Sequence, residues 1–343
     1  MLTTILSGGL IGLIFGFILQ RTRFCLTGGF RDMYIARNNT LFYAFLIAIT
    51  VESIGVLSLI KLGIIENPYE EFYVLGAIVG SYLFGIGIVL AGGCATGTWY
   101  RAGEGLLGSW VALFFYMTSA AAMKSGFLVP LNQLIAKRWV INDDLAGQLG
   151  IPVWYLLVFL VAITSFIVIR ELRKPRRQIA TLPSKYKGVR HYLFEKTYHK
   201  YFAGFLIGLV ALIAWPASQL TGRVGGLGIT TPSAHLISYI ITGDSKQLGW
   251  GVFLVLGIFL GSFLAAKGSR EFRWRLPDLS TIGKSTLGGI FMGIGASWAG
   301  GCTIGNGLTA TAIFSSKGWI ALPVTILGVW TASYIIFVKP NKN

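Results

Sequence analysis

Nine stretches of this chain are apolar over about the length that crosses a bilayer: 4–20, 41–60, 72–90, 106–128, 152–169, 201–216, 249–266, 285–298 and 319–338. About 20 helical residues cover the ~30 Å hydrocarbon core. Only helices and closed barrels satisfy their backbone there. The recurrence therefore predicts an all-α polytopic membrane protein with about nine transmembrane helices. Charged residues make up 12% of the chain, about half the share in soluble domains. The 285–298 stretch reaches spanning length only by continuing past its glycines. The first stretch has no basic residue before it and no small-residue cleavage site after it, so it reads as a retained span rather than a signal peptide.

A net charge of +16 raises the question of nucleic acid, and its distribution answers against it. With nine crossings and an outside N-terminus, 22 of the 29 Lys and Arg fall inside and seven outside. The inner set sits at 21–40, at Arg101, in 170–200, at 267–284, and at Lys339 and Lys342. Basic residues retained on the cytoplasmic side are the usual topological bias. The expected localisation is thus a multi-pass plasma or inner membrane protein with its C-terminus cytoplasmic.

Residues 91–97 read AGGCATG and 299–305 read AGGCTIG, 208 positions apart. At that offset Gly80, Gly85, Ile86 and Gly87 match Gly288, Gly293, Ile294 and Gly295, and Gly97 matches Gly305. A weaker echo joins GLIFG at 12–16 to GFLIG at 204–208. The chain thus divides into a first membrane repeat, 1–128; a linking transmembrane helix and basic loop, 129–199; and a second repeat, 200–343. The odd linking span inverts the second repeat, a build common in secondary transporters, whose substrate sites lie at the repeat interface.

Two glycines inside a span weaken its helix. Unwound backbone is tolerated in a membrane only where protein buries it or it lines a cavity. Gly92, Gly93, Gly300 and Gly301 are therefore read as breaks that end one half-helix and start another. A helix N-terminus offers free N–H groups and roughly +0.5 of a charge, so two facing starts make an anion site without a buried cation. Thr96, Thr98, Thr303 and Asn306 are candidate donors beside it. Gly80, Gly85, Gly288 and Gly293 read instead as close-packing positions.

Cys25, Cys94 and Cys302 are the only cysteines, each near a di-glycine. An odd count within spans is not a disulfide framework. Cysteine is also a small hydrophobe that buries readily, but placing every cysteine of the chain in a glycine-rich break points to function. Soft-cation binding is opposed by the electropositive helix ends, and no cofactor or metal is expected. His191, His199 and His235 all lie outside the middle of a span, and no phosphate loop, catalytic triad or zinc spacing appears. Glu52 lies within a span and is a candidate for proton handling or a hydrogen-bonded pair; Lys124 lies where it can snorkel. The run RELRKPRRQ, 170–178, reads as a topogenic, lipid-facing cluster.

With RFCLTGG, AGGCATG and AGGCTIG in view, the chain resembles the YeeE/YedE family of sulfur transport proteins over most of its length. The resemblance implies inverted halves, an hourglass shape, and thiosulfate descending past Cys25, Cys94 and Cys302. It also implies a possible cytosolic sulfurtransferase partner, and selenium-associated relatives leave the substrate open. The expected function is thiosulfate uptake by a non-enzymatic transporter, with weak S–H contacts passing the ion from Cys302 to Cys94 to Cys25. The alternatives are another sulfur or selenium species, or a membrane thiol enzyme that moves sulfur onto Cys25. Against an inside-negative 100 mV a dianion faces ~4.6 kcal/mol. Uphill uptake then needs a coupled proton or removal of thiosulfate inside.

Overall fold

The apolar runs become helices whose small residues let them approach closely. The computed structural model describes residues 1–66, 68–69, 71–136, 139–142, 144–174, 188–196 and 198–339. In order the chain forms α1 (Leu2–Thr22), α2 (Leu26–Ile35), α3 (Thr40–Lys61), β1 (Glu71–Tyr73), α4 (Val74–Leu90), α5 (Ala95–Gly103), α6 (Leu107–Ser125), α7 (Val129–Ala136), β2 (Val140–Asn142), α8 (Leu145–Leu149) and α9 (Val153–Leu172). It continues through α10 (Val189–Phe194), α11 (Lys200–Gln219), α12 (Thr230–Thr242), α13 (Trp250–Gly268), α14 (Leu279–Trp298) and α15 (Ser316–Ser333). Wider π-type turns occupy Gly305–Ala310 and Tyr334–Val338. The one small sheet pairs β1 antiparallel to β2.

Seven helical stretches are long and apolar enough to cross a membrane, against about nine expected from the sequence. The other two candidates, α6 and α14, have 19 and 20 residues but are less apolar. Helix α14 gains its length differently from expectation. It stops at Trp298, before the glycines, and instead starts at Leu279, taking in Ser280, Thr281 and Lys284. The basic run 170–178 lies outside the described residues from 175 onward, as do Lys137, Arg138 and Lys342.

Helix pairs recur in couples. Helix α1 packs on α13 as α11 packs on α3; α6 lies on α14 as α15 lies on α4; α12 meets α6 as α2 meets α15. Helix α4 packs on α14, and α1 on α11. Among these longest helices only α9 has no counterpart; it leans on α3 and is mostly exposed.

Glycines make these contacts close. A Cβ on Gly12 or Gly16 would strike the carbonyls of Leu254 or Ile258 across the α1–α13 seam. At Gly80 and Gly288 it would strike the backbones of α14 and α4. Gly85 faces α15 and Gly293 faces α6 in the same way, so all four glycines read as packing positions do pack.

Two faces are defined by loop contacts. On the basic face Arg23 pairs with Glu104 at 3.2 Å and Glu271 at 2.9 Å, and Gln20 donates to Glu271 at 2.8 Å. Burial pushes the Glu104 carboxyl up, and Arg23 beside it pulls it back down. Arg21 reaches the Leu193 carbonyl there, at 2.9 Å. The opposite face gathers the β1–β2 sheet, Asp144 against Ser315, and Lys124, whose ammonium donates to Thr231 at 2.6 Å.

Candidate functional site

Both glycine pairs end a helix. Helix α4 closes at Leu90 and α14 at Trp298, and Gly92 (φ +69°) and Gly300 (φ +68°) follow in left-handed backbone. That conformation closes a helix with no Cβ penalty in glycine. The Gly92 N–H returns to Val89 O at 3.2 Å and the Gly301 N–H to Ala296 O at 2.9 Å. The helix breaks read from the sequence are therefore present at both sites.

Each cysteine then begins a new helical turn. The Cys25, Cys94 and Cys302 carbonyls accept the N–H groups of Gly29, Thr98 and Asn306 at 2.9, 2.8 and 2.8 Å. Cys25 and Cys94 are the N-caps of α2 and α5, and Sγ of Cys94 accepts the Gly97 N–H at 3.4 Å. All three thiols are free and buried, and each stands at the electropositive start of a helical turn.

The space around them has an hourglass profile. A cavity of about 410 Å³ on the opposite face is lined by Gly300, Arg223, Lys317, His235, Trp215 and Trp250, among others. A second cavity, of about 250 Å³ on the basic face, is lined by Gly92, Arg101 and Arg275. Between them lie two voids of about 10 Å³ each, room for about one water. One touches Cys302, Thr303, Asn306 and Ser81. The other touches Cys94 and Thr96, and is walled by Phe24 and Leu26 beside Cys25 and by Ile304 just beyond Cys302. The cysteine segments thus form the waist.

The expected donors divide. The Thr98 hydroxyl donates to Ala95 O at 2.7 Å and the Asn306 amide to Ala299 O at 2.8 Å. The Thr98 bond lies within the first turn of α5, whereas Asn306 spends one amide N–H on the break and itself lines the Cys302 void. The Thr96 and Thr303 hydroxyls are buried without a hydrogen-bond partner among the described residues, each beside a thiol-lined void. Glu52 sits away from the cysteines. Its Oε1 accepts the Trp215 indole N–H at 2.9 Å, one layer behind the wall of the larger cavity, and its Oε2 has no partner among the described residues.

Arg101 was read from the sequence only as a charge on the inner side. Its Nη2 lies 3.3 Å from Cys25 Sγ, and its Nη1 donates to Gly92 O. Arg101 follows Cys94 by seven residues, two helical turns along the same face, but no spacing in the sequence links it to Cys25, 76 positions away. Tyr116, fully buried and donating to Thr230 at 2.9 Å, carried no signal either.

The sequence matches known proteins along most of its length. The sulphur transport family profile matches residues 21–331. The thiosulfate transporter TsuA of Escherichia coli (strain K12) is 54% identical over 343 residues, covering all of this chain and 97% of the relative. The thiosulfate transporter TsuA of Spirochaeta thermophila is 33% identical over 345 residues, covering 96% of this chain and 98% of the relative. The probable transporter YedE of Escherichia coli (strain K12) is 42% identical over 101 residues, 29% of this chain and 25% of its own. On the extent of these matches, the chain belongs to the sulphur transport family.

Proposed function

We propose that this protein is a thiosulfate transporter, and that the ion passes the waist on Cys302, Cys94 and Cys25. The observation that carries the reading is the set of three buried thiols, each at a helix start, between two cation-lined cavities. The full-length relatives named thiosulfate transporter supply the substrate. Thiosulfate carries negative oxygens and a soft terminal sulfur. Helix starts attract the oxygens, and the S–H groups offer weak donors to the sulfur. Neutral thiols suit this task, because thiolates would repel a dianion. Sites this weak and this numerous let an ion enter and also leave.

The cavity linings support this order. Arg223 and Lys317 draw the anion into the larger cavity beside Gly300. Cys302 comes next in the chain after Gly300 and Gly301. Cys94 lines the void whose wall also holds Phe24 and Leu26 beside Cys25 and Ile304 just beyond Cys302, and Cys25 touches Arg101 at the smaller cavity.

The basic face is placed in the cytoplasm of a plasma or inner membrane, so the N-terminus lies outside and the C-terminus inside. The division into repeats 1–128 and 200–343, with 129–199 joining them, is supported by the coupled helix packings. The membrane lipid contacts α9 broadly. A cytosolic sulfurtransferase that consumes thiosulfate at the inner face would offset the ~4.6 kcal/mol opposing a dianion at 100 mV.

The test is growth of a bacterium lacking its own thiosulfate uptake, with thiosulfate as sole sulfur source. Expression of this chain restores growth, and the three Cys→Ala variants do not. Rescue by sulfite or cysteine alone, with none on thiosulfate, contradicts the substrate.

A further inference from the structure

We propose that Arg101 and Arg275 form a second, thiol-free binding site for a divalent sulfur oxyanion, in the cavity on the basic face. The proposal rests on the transport reading for its ligand, which is thiosulfate that has left Cys25.

The geometry behind it is specific. The Arg101 guanidinium bridges two compartments, with Nη2 against Cys25 Sγ at 3.3 Å and its flank in the 250 Å³ cavity. Its Nη1 is tied to the Gly92 carbonyl and its Nε to Tyr100 Oη at 3.4 Å, which fix the fork in place. Among the described residues no carboxylate lies within ion-pair distance of Arg101. Its charge is therefore not neutralised by a protein anion in direct contact. Arg275 lines the same cavity, and its backbone is pinned by Arg275 N–H to Gly105 O at 3.0 Å and Leu107 N–H to Arg275 O at 3.2 Å. Among the described residues its guanidinium also makes no ion pair. Ser109, near the start of α6, and Ser285 of α14 add hydroxyls to the lining. Of the neighbouring carboxylates, Glu104, which acts on Arg101 through space, is paired with Arg23 at 3.2 Å, and Asp278 accepts the Thr281 hydroxyl.

Two unpaired guanidinium groups on one small cavity repel each other and attract a single dianion, which guanidinium binds through paired N–H donors. Because Arg101 touches both the thiol and the cavity, an oxyanion can transfer from Cys25 without crossing a gap in positive charge. The larger cavity has its own cations, Arg223 and Lys317, beside Gly300. Each helix break thus opens beside a pair of cations on its own face.

The test removes the thiols so that it does not depend on transport. In a full-length chain carrying Cys25→Ala, Cys94→Ala and Cys302→Ala, Thr281→Cys places one reporter thiol on the cavity rim. The protein is held in phosphatidylcholine nanodiscs, and alkylation by a neutral maleimide is timed. Thiosulfate and sulfate slow the reaction saturably, and chloride at equal ionic strength does not. Adding Arg275→Ala, a change on an exposed side chain, raises the half-protecting concentration about tenfold, the loss expected for one charge-assisted contact. Absence of protection, or equal protection after Arg275→Ala, overturns the proposal. Protection in a protein whose parent moves no thiosulfate removes the transport reading and leaves the site. Uptake by the parent without protection removes the site and leaves the reading.

Discussion

Thr96 and Thr303 each bury a hydroxyl with no partner among the described residues, and each lines a thiol-bearing void. A buried unsatisfied hydroxyl costs about 1–3 kcal/mol, whereas an apolar group of the same shape costs nothing comparable. Such a cost persists where the group has work with a transient ligand. Thr303→Val therefore separates two properties: thermal stability holds or rises by about 1 kcal/mol, and thiosulfate uptake falls several-fold. Melting in detergent and uptake in cells check the pair. Loss of both together would make Thr303 structural. Cys94→Ser is the companion change, keeping size and hydrogen bonding while removing the soft sulfur. Uptake of thiosulfate falls at least tenfold in this variant, with an unchanged melting temperature.

The helix breaks and the helix seams use glycine for different reasons, and substitutions distinguish them. At Gly92 a Cβ would meet nothing nearer than Arg101 Nη1 at 3.9 Å. Gly92→Ala thus bears only the left-handed backbone penalty, about 1–2 kcal/mol. At Gly16 a Cβ would overlap the Ile258 carbonyl, so Gly16→Val wedges α1 from α13 at about 1–3 kcal/mol. Both lower the melting temperature. Gly16→Val does so whatever the anion present, and Gly92→Ala also alters uptake, because it moves Cys94.

The breaks were legible in the sequence because AGGC occurs twice at one offset; a Gly-Gly pair alone marks no break, since Gly8-Gly9 and Gly288-Gly289 stay within α1 and α14. The start of α14 was not. Its first turns carry Ser280, Thr281 and Lys284, which no hydropathy pattern marks as helix. The bonds of Thr98 and Asn306 to the Ala95 and Ala299 carbonyls carry no sequence signal, because those acceptors come into place only once the chain has turned at the break. The pairing of Arg101 with Cys25 joins positions 76 residues apart; charge counting assigned Arg101 a side of the membrane and no partner.

Across the protein, two cavities of about 410 and 250 Å³ are separated by a waist whose voids hold about one water each. Passive leak is therefore slow, and on the proposed path an ion advances by exchanging contacts with the thiols. The proposed orientation puts the smaller cavity inward, so it predicts that a membrane-impermeant thiol reagent reaches Thr281→Cys only from the cytoplasmic side. Labelling of that variant in intact cells would reverse the orientation. The coupled packing of α1 with α13 and α11 with α3 has a mechanical consequence as well. Helices of the two proposed repeats thus interlock, so the proposed account expects the repeats to move against each other rather than apart. The most direct measurement is uptake of sulfur-35 thiosulfate into proteoliposomes, for the purified parent and for Cys25→Ala, Cys94→Ala and Cys302→Ala. The parent takes up intact thiosulfate in preference to sulfate, and each variant drops at least tenfold. Three variants within twofold of the parent would contradict passage along the cysteines.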